Sequence, residues 1–273
     1  MSSKATQDQL WAESLLLVGI RGGLVLLLAM PLIVTTETLF PFIVGKSVFG
    51  RVIIEIVFAM WLVAAILYPK HRLPRSWLLV AFGVYLVVNL LAGVTGVSFQ
   101  RSLWSTYERM QGTVDLIHWL MLATVLAATF RSFSDWRFLL NVNLFVSLLV
   151  ALLGVAQRYE VVVGLYDYLP SVQRLGISFG NPTYVGAYMM VNILVGLALL
   201  GQSFAPGPTQ AVSRAVQRHR RSGERQKERD YWLLGLRLFW VATIALDFWV
   251  LTLTSTRGAI IGLASALLIF AGF

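Results

Sequence analysis

The chain has 273 residues, 58% of them hydrophobic and 13% charged, with a mean hydropathy of +0.74. Soluble domains carry about 25% charged residues, so this composition leaves too little polar surface to coat a globule, and the long apolar runs call for lipid as solvent. The net charge of +9 follows the short stretches between those runs, which argues against a nucleic-acid partner, and the lack of cysteine excludes disulfides, thiolate catalysis and cysteine-ligated metals.

The first ten residues are polar and mixed in charge, and the apolar run behind them is long enough to span, so they do not form a cleavable signal peptide. Seven apolar segments reach the roughly 20 residues that cross a ~30 Å hydrocarbon core. They fall near 15–34, 48–68, 77–96, 114–130, 138–157, 183–201 and 232–253, and an eighth starts near Gly258 and is still apolar at Phe273. The expected fold is all-α: a polytopic transmembrane helical bundle of about eight spans over 1–273, the last cut short, as in the N-terminal piece of a longer protein.

Placing the N-terminus in the cytoplasm puts 13 Lys and Arg residues in the inner connections and 7 in the outer ones. The positive-inside bias therefore favours that orientation. Most of the excess comes from 202–231, which opens Pro206-Gly207-Pro208 and continues QRHRRSGERQKERD. It is expected to be a basic cytoplasmic loop, partly helical, held near anionic lipid headgroups.

Ionisable groups inside spans are costly and face protein or water. Arg21 in the first span can snorkel to the inner surface. Glu55 and Asp247 read either as buried interhelical bonds or as a proton relay. Asn89, Asn141, Asn143 and Asn192 are expected to bond between helices. The three histidines, His71, His118 and His219, are scattered, with no two at metal-ligand spacing, and no metal or other cofactor is expected.

Three outer connections carry the candidate chemistry. Residues 98–113, SFQRSLWSTYERMQGT, combine interfacial Trp104 and Tyr107 with Arg101, Glu108 and Arg109. They read as an interfacial turn or as one wall of an anionic pocket. Residues 170–188, PSVQRLGISFGNPTYVGAY, contain Asn181-Pro182, a helix start with a capping side chain and Pro at the first helical position. Free N–H groups and the positive dipole end then face outward, an arrangement that suits phosphate, with Arg174 seven residues upstream and Thr183 in the first turn. Residues 252–259, TLTSTRGA, place Thr254 or Ser255 as a cap and Arg257 in the first turn. A cation at a helix N-terminus is unfavourable unless an anion sits there too. Two helix starts on one face, each with an arginine, point to an outward phosphate or pyrophosphate site.

SFGNPTYVGAY, followed by TSTRGA at the start of the next-but-one helix, resembles the O-antigen ligase and O-antigen polymerase superfamily of bacterial envelope glycosyltransferases. PLIVTTETLFPFIVGKSVFGR and RSLWSTYERMQG look like long, TPR-bearing members of that group. The resemblance implies metal-independent transfer of a glycan from a polyprenyl-pyrophosphate carrier to a lipid, protein or glycan acceptor at the periplasmic face of the inner membrane. It places Arg174 and Arg257 on the pyrophosphate as catalytic residues, with Asn181, Thr183, Ser255, Arg101 and Arg109 in the substrate site. The family's periplasmic histidine base has no counterpart among the three histidines here, so this segment alone is expected to be inactive, with the base beyond Phe273. The competing expectation is a transporter or lipid flippase using Glu55 and Asp247; a non-enzymatic scaffold recruiting partners through the basic loop is a third.

Overall fold

The computed structural model describes residues 2–106, 109–161, 174–204 and 223–271. All regular structure among them is helical: α1 Ser2–Leu28, α2 Val44–Leu67, α3 Trp77–Thr95, α4 Phe99–Trp104, α5 Thr113–Thr129, α6 Phe133–Arg158, α7 Pro182–Phe204, α8 Gly223–Leu253 and α9 Arg257–Ala271. Six of them, α1, α2, α3, α6, α7 and α8, are long and apolar enough to cross a membrane. The chain is thus an all-α, multi-pass membrane protein. The 17-residue α5 is shorter than a full span at 1.5 Å per residue, and α9 has 15 residues.

Helix ends differ from the hydropathy boundaries where polar residues carry a helix past its apolar stretch. α1 begins at Ser2 and stops at Leu28, short of the expected 34, because Pro31 follows in a 3-10 turn. α8 begins at Gly223, so the end of the expected basic loop is helical, while 205–222 lies outside the described residues. α3 buries only Gly93 and exposes Trp77, Leu78, Val84, Val88 and Leu91, an apolar surface that lipid must cover.

Two compact units divide the chain, Met1–Val142 and Asn143–Phe273, with the boundary inside α6. In the first, Ile20 and Leu24 of α1, Val57, Trp61 and Ala64 of α2, and Val125 and Ala128 of α5 form one buried cluster with Phe130 and Leu139. Polar bonds gather at its two ends. At one, Glu13 pairs with Lys70 and His71, Arg131 bonds the Arg72 carbonyl, and Arg21 pairs with Asp135 at 3.2 Å. Arg21, half exposed, thus reaches the start of α6 at that end. At the other end Arg51 pairs with Asp115 at 3.2 Å, bonds the Met110 carbonyl and lies 5.0 Å from the Trp104 ring. The connections 68–76 and 130–132 thus share an end, as the assumed sidedness requires.

In the second unit α7 packs closely on α8. Gly196 is where the two meet: a Cβ there would stand 2.7 Å from Ile244 Cγ1. Gly154 gives the same close approach to Ile177 and Val250. Without a hydrophobic drive in lipid, such small-residue contacts and interhelical hydrogen bonds hold helices together.

Candidate functional site

The site lies at one end of the second unit, where α6 and α8 finish and α7 and α9 begin. Gly180 turns the chain into α7 with φ 67°, a left-handed conformation that costs an L side chain about 1–2 kcal/mol and glycine nothing. Asn181 then caps α7, its Oδ1 accepting from Thr183 N at 2.9 Å. The cap and the Pro182 start agree with the sequence expectation.

The start of α9 falls one residue later than a Ser255 cap would give and two later than a Thr254 cap would give. Ser255 takes φ 52°, reversing the chain, and Thr256 occupies the capping position, its carbonyl accepting from Ala259 N and Ile260 N. Thr254 closes α8 instead, its hydroxyl donating to the Leu251 carbonyl.

Two bonds lock these turns together. Thr256 Oγ1 donates to the Pro182 carbonyl at 3.1 Å, joining the first turn of α9 to the first residue of α7. Arg174 Nε donates to the Thr254 carbonyl at 2.9 Å, anchoring the segment before α7 on the end of α8. Gly186 permits the contact: a Cβ there would meet Thr256 Cβ at 2.9 Å, Thr256 Oγ1 at 3.0 Å and Thr254 Oγ1 at 3.2 Å. Behind them, Gln157 near the end of α6 accepts from the Ile177 N–H at 2.9 Å. Ile177 is fully buried at φ 44°, a strained position for a β-branched residue. Strain held by surrounding contacts is what a prearranged site shows.

Arg174, Asn181, Thr183, Ser255 and Arg257 are therefore neighbours, and all five are at least partly exposed. Arg257 is the first residue of α9 and makes no hydrogen bond or ion pair among the described residues. Two helix N-termini and two arginines converge, giving a positive, donor-rich surface with no carboxylate among the described residues of the cluster. Arg101, on α4, and Arg109, in the turn after it, are exposed residues of the first unit. Tyr107 and Glu108 lie outside the described residues.

The intramembrane polar residues sort unevenly. Glu55 bonds His118 Nε2 across α2 and α5 at 2.9 Å, although its side chain is largely exposed rather than buried. Asn143 and Asn192 bond each other between α6 and α7, as expected. Asn89 instead bonds the Tyr85 carbonyl of its own helix, and among the bonds of Asn141 is one to the Arg137 carbonyl four residues back. Arg51–Asp115 and Arg21–Asp135 were not legible in the sequence, because each pair joins segments more than sixty residues apart. His71 sits with Glu13, and His118 with Glu55, both in the first unit.

Compared with protein-family models, curated proteins and solved structures, the chain matches none.

Proposed function

We propose that the joined starts of α7 and α9 grip the pyrophosphate of a polyprenyl-linked glycan, and that the protein transfers that glycan to an acceptor at the periplasmic face of the bacterial inner membrane. The observation that carries the proposal is the pair of bonds, Thr256 to Pro182 and Arg174 to Thr254, which bring two helix N-termini and two exposed arginines to one place. Backbone N–H groups and guanidinium forks both suit phosphate oxygens. An apolar groove of about 490 Å³ lies further along the same two helices, lined by Leu194, Leu197, Ala198, Gly201, Leu267 and Phe270. At 1.5 Å per residue it begins roughly 18 Å from Pro182, at the depth of a lipid tail.

In the reaction, the acceptor hydroxyl oxygen bonds to the anomeric carbon while that carbon's bond to the pyrophosphate oxygen breaks. The electron pair leaves on the pyrophosphate, where the arginines and N–H groups meet the growing charge. The hydroxyl proton passes to a base, and no histidine of this cluster supplies one. The orientation with the N-terminus inside follows from the charge bias of the connections.

Binding of farnesyl pyrophosphate to the purified chain in lipid nanodiscs tests the clamp. Arg174→Lys and Arg257→Lys keep the charge but lose the planar fork, and each should weaken binding on the order of 10-fold or more, the scale of a lost charge-assisted bond. The double variant should lose much less than the sum, because either change disables one shared ligand. Unchanged affinity in both alanine variants would remove the reason to call this a phosphate site.

A further inference from the structure

Deeper in the second unit is a polar cluster that the pyrophosphate reading does not use. Asp247 of α8 is fully buried, and its Oδ2 accepts from Ser147 Oγ of α6 at 2.8 Å. Its Oδ1 is also buried and has no hydrogen-bond partner, and neither has the buried hydroxyl of Tyr188 on α7. Tyr188 stands one turn before Asn192, whose Nδ2 donates to its carbonyl, and the next residue, Met189, is approached by Ser147 Oγ at 4.0 Å. Asn192 Oδ1 accepts from Asn143, so α6, α7 and α8 all bring polar atoms into this interior.

Among the described residues, no side-chain cation bonds the carboxylate. Between Arg137 and Arg158, α6 has no ionisable residue, and α7 has only Tyr184 and Tyr188. On α8 the nearest cation is Arg237, which bonds Ser203 at the far end of α7, and on α9 only Arg257 is charged. Each is ten residues from Asp247 in sequence. An ionised carboxylate without a partner is costly in a membrane interior, and a buried polar atom left unsatisfied calls for an explanation. A single positive charge supplies it. A divalent ion would leave the site with a net charge again.

We propose that the α6–α7–α8 interior binds one monovalent cation at Asp247 Oδ1, with Tyr188 and Ser147 as further oxygen contacts. The cation is sodium or a proton; both supply the same single charge. The site is separate from the pyrophosphate clamp, so either proposal can fail without the other.

The test follows the melting temperature of the purified chain in nanodiscs. One arm titrates sodium chloride against choline chloride at alkaline pH and constant ionic strength. The other lowers the pH in sodium-free choline medium. A saturable rise with sodium assigns the site to sodium, and a rise with acid alone assigns it to a proton. In either case Asp247→Asn should abolish the response, while Glu55→Gln, at the other intramembrane acid, should keep it. Should Asp247→Asn fail to fold, Tyr188→Phe and Ser147→Ala take its place, each shifting the titration midpoint on the order of 10-fold, comparable to losing one contact around a bound ion. A melting temperature that follows neither sodium nor pH, or a midpoint unmoved in Tyr188→Phe and Ser147→Ala, overturns the proposal.

Discussion

Gly186 is the sharpest structural test of the paired helix starts. Replacing it with alanine puts a methyl group 2.9 Å from Thr256 Cβ and 3.0 Å from the hydroxyl that bonds Pro182. These are atoms close to the backbone, so the first turns of α7 and α9 must separate. Overpacking of this kind costs about 1–3 kcal/mol, and a weakened Thr256–Pro182 bond adds about 0.5–1.5 kcal/mol. Gly201, on the same helix, is the control, because a Cβ there meets nothing within 4 Å. Gly201→Ala should be neutral or stabilising by up to about 1 kcal/mol, through the reduced freedom of the unfolded chain. Unfolding of the two variants in mixed micelles should therefore differ by roughly 1.5–4.5 kcal/mol, the sum of the two contact terms, since the unfolded-chain gain is common to both. Gly186→Ala should also weaken farnesyl pyrophosphate binding, since it moves the α7 start away from the Thr254 carbonyl that anchors Arg174. Equal stability of the two variants would refute the close contact, and with it the argument that the helix starts are locked together.

Other consequences are open to measurement. Asp115→Ala should destabilise the chain by about 3 kcal/mol, the low end for breaking a buried pair, because Arg51 keeps the Met110 carbonyl and the Trp104 ring; a loss below about 0.5 kcal/mol, on the scale of exposed pairs, would show that the Arg51–Asp115 pair is solvated. Arg237 bonds Ser203 Oγ and the Ser203 carbonyl and lies 4.0 Å from the Phe204 ring, so Arg237→Ala should cost about 1–3 kcal/mol in thermal unfolding, the range of charged hydrogen bonds. Because the chain has no cysteine, Ala215→Cys reports topology directly: an impermeant thiol reagent added outside intact cells should leave it unlabelled, and labelling would invert the proposed orientation.

Hydropathy made the spans legible because lipid imposes one demand on every residue of a run, and α3, which has little protein around it, matches its predicted 77–96 almost to the residue. Where a helix leaves lipid the demand ends, so hydropathy could not set where the polar beginnings of α1 and α8 lie. The α7 start was legible because Asn181 and Pro182 act locally, through one side-chain bond and one fixed φ. The α9 start was harder for a reason that is also local. Thr254, Ser255 and Thr256 can each cap, and only the left-handed turn at Ser255 assigns that role to Thr256. The long-range pairs were not legible at all: nothing near Arg21 indicates Asp135, and nothing near Glu55 indicates His118.

The asparagines show how far such a limit extends. A polar side chain inside a span must find a partner, but its own helix offers one four residues back. Asn89 reaches back to the Tyr85 carbonyl. Asn192 does both: its Nδ2 donates to the Tyr188 carbonyl, and its Oδ1 accepts from Asn143. A side chain that satisfies itself within its own helix places no demand on a neighbour, whereas a bond between helices fixes which faces meet. Asp247 has no such local option, since a carboxylate only accepts and the backbone N–H groups of its helix are already engaged. Its position must be settled by other helices or by a ligand. Ser147 settles one oxygen, and the other stands without a protein partner. Of the polar groups in these spans, the one least able to satisfy itself therefore marks the place where the sequence specifies a contact beyond its own helix.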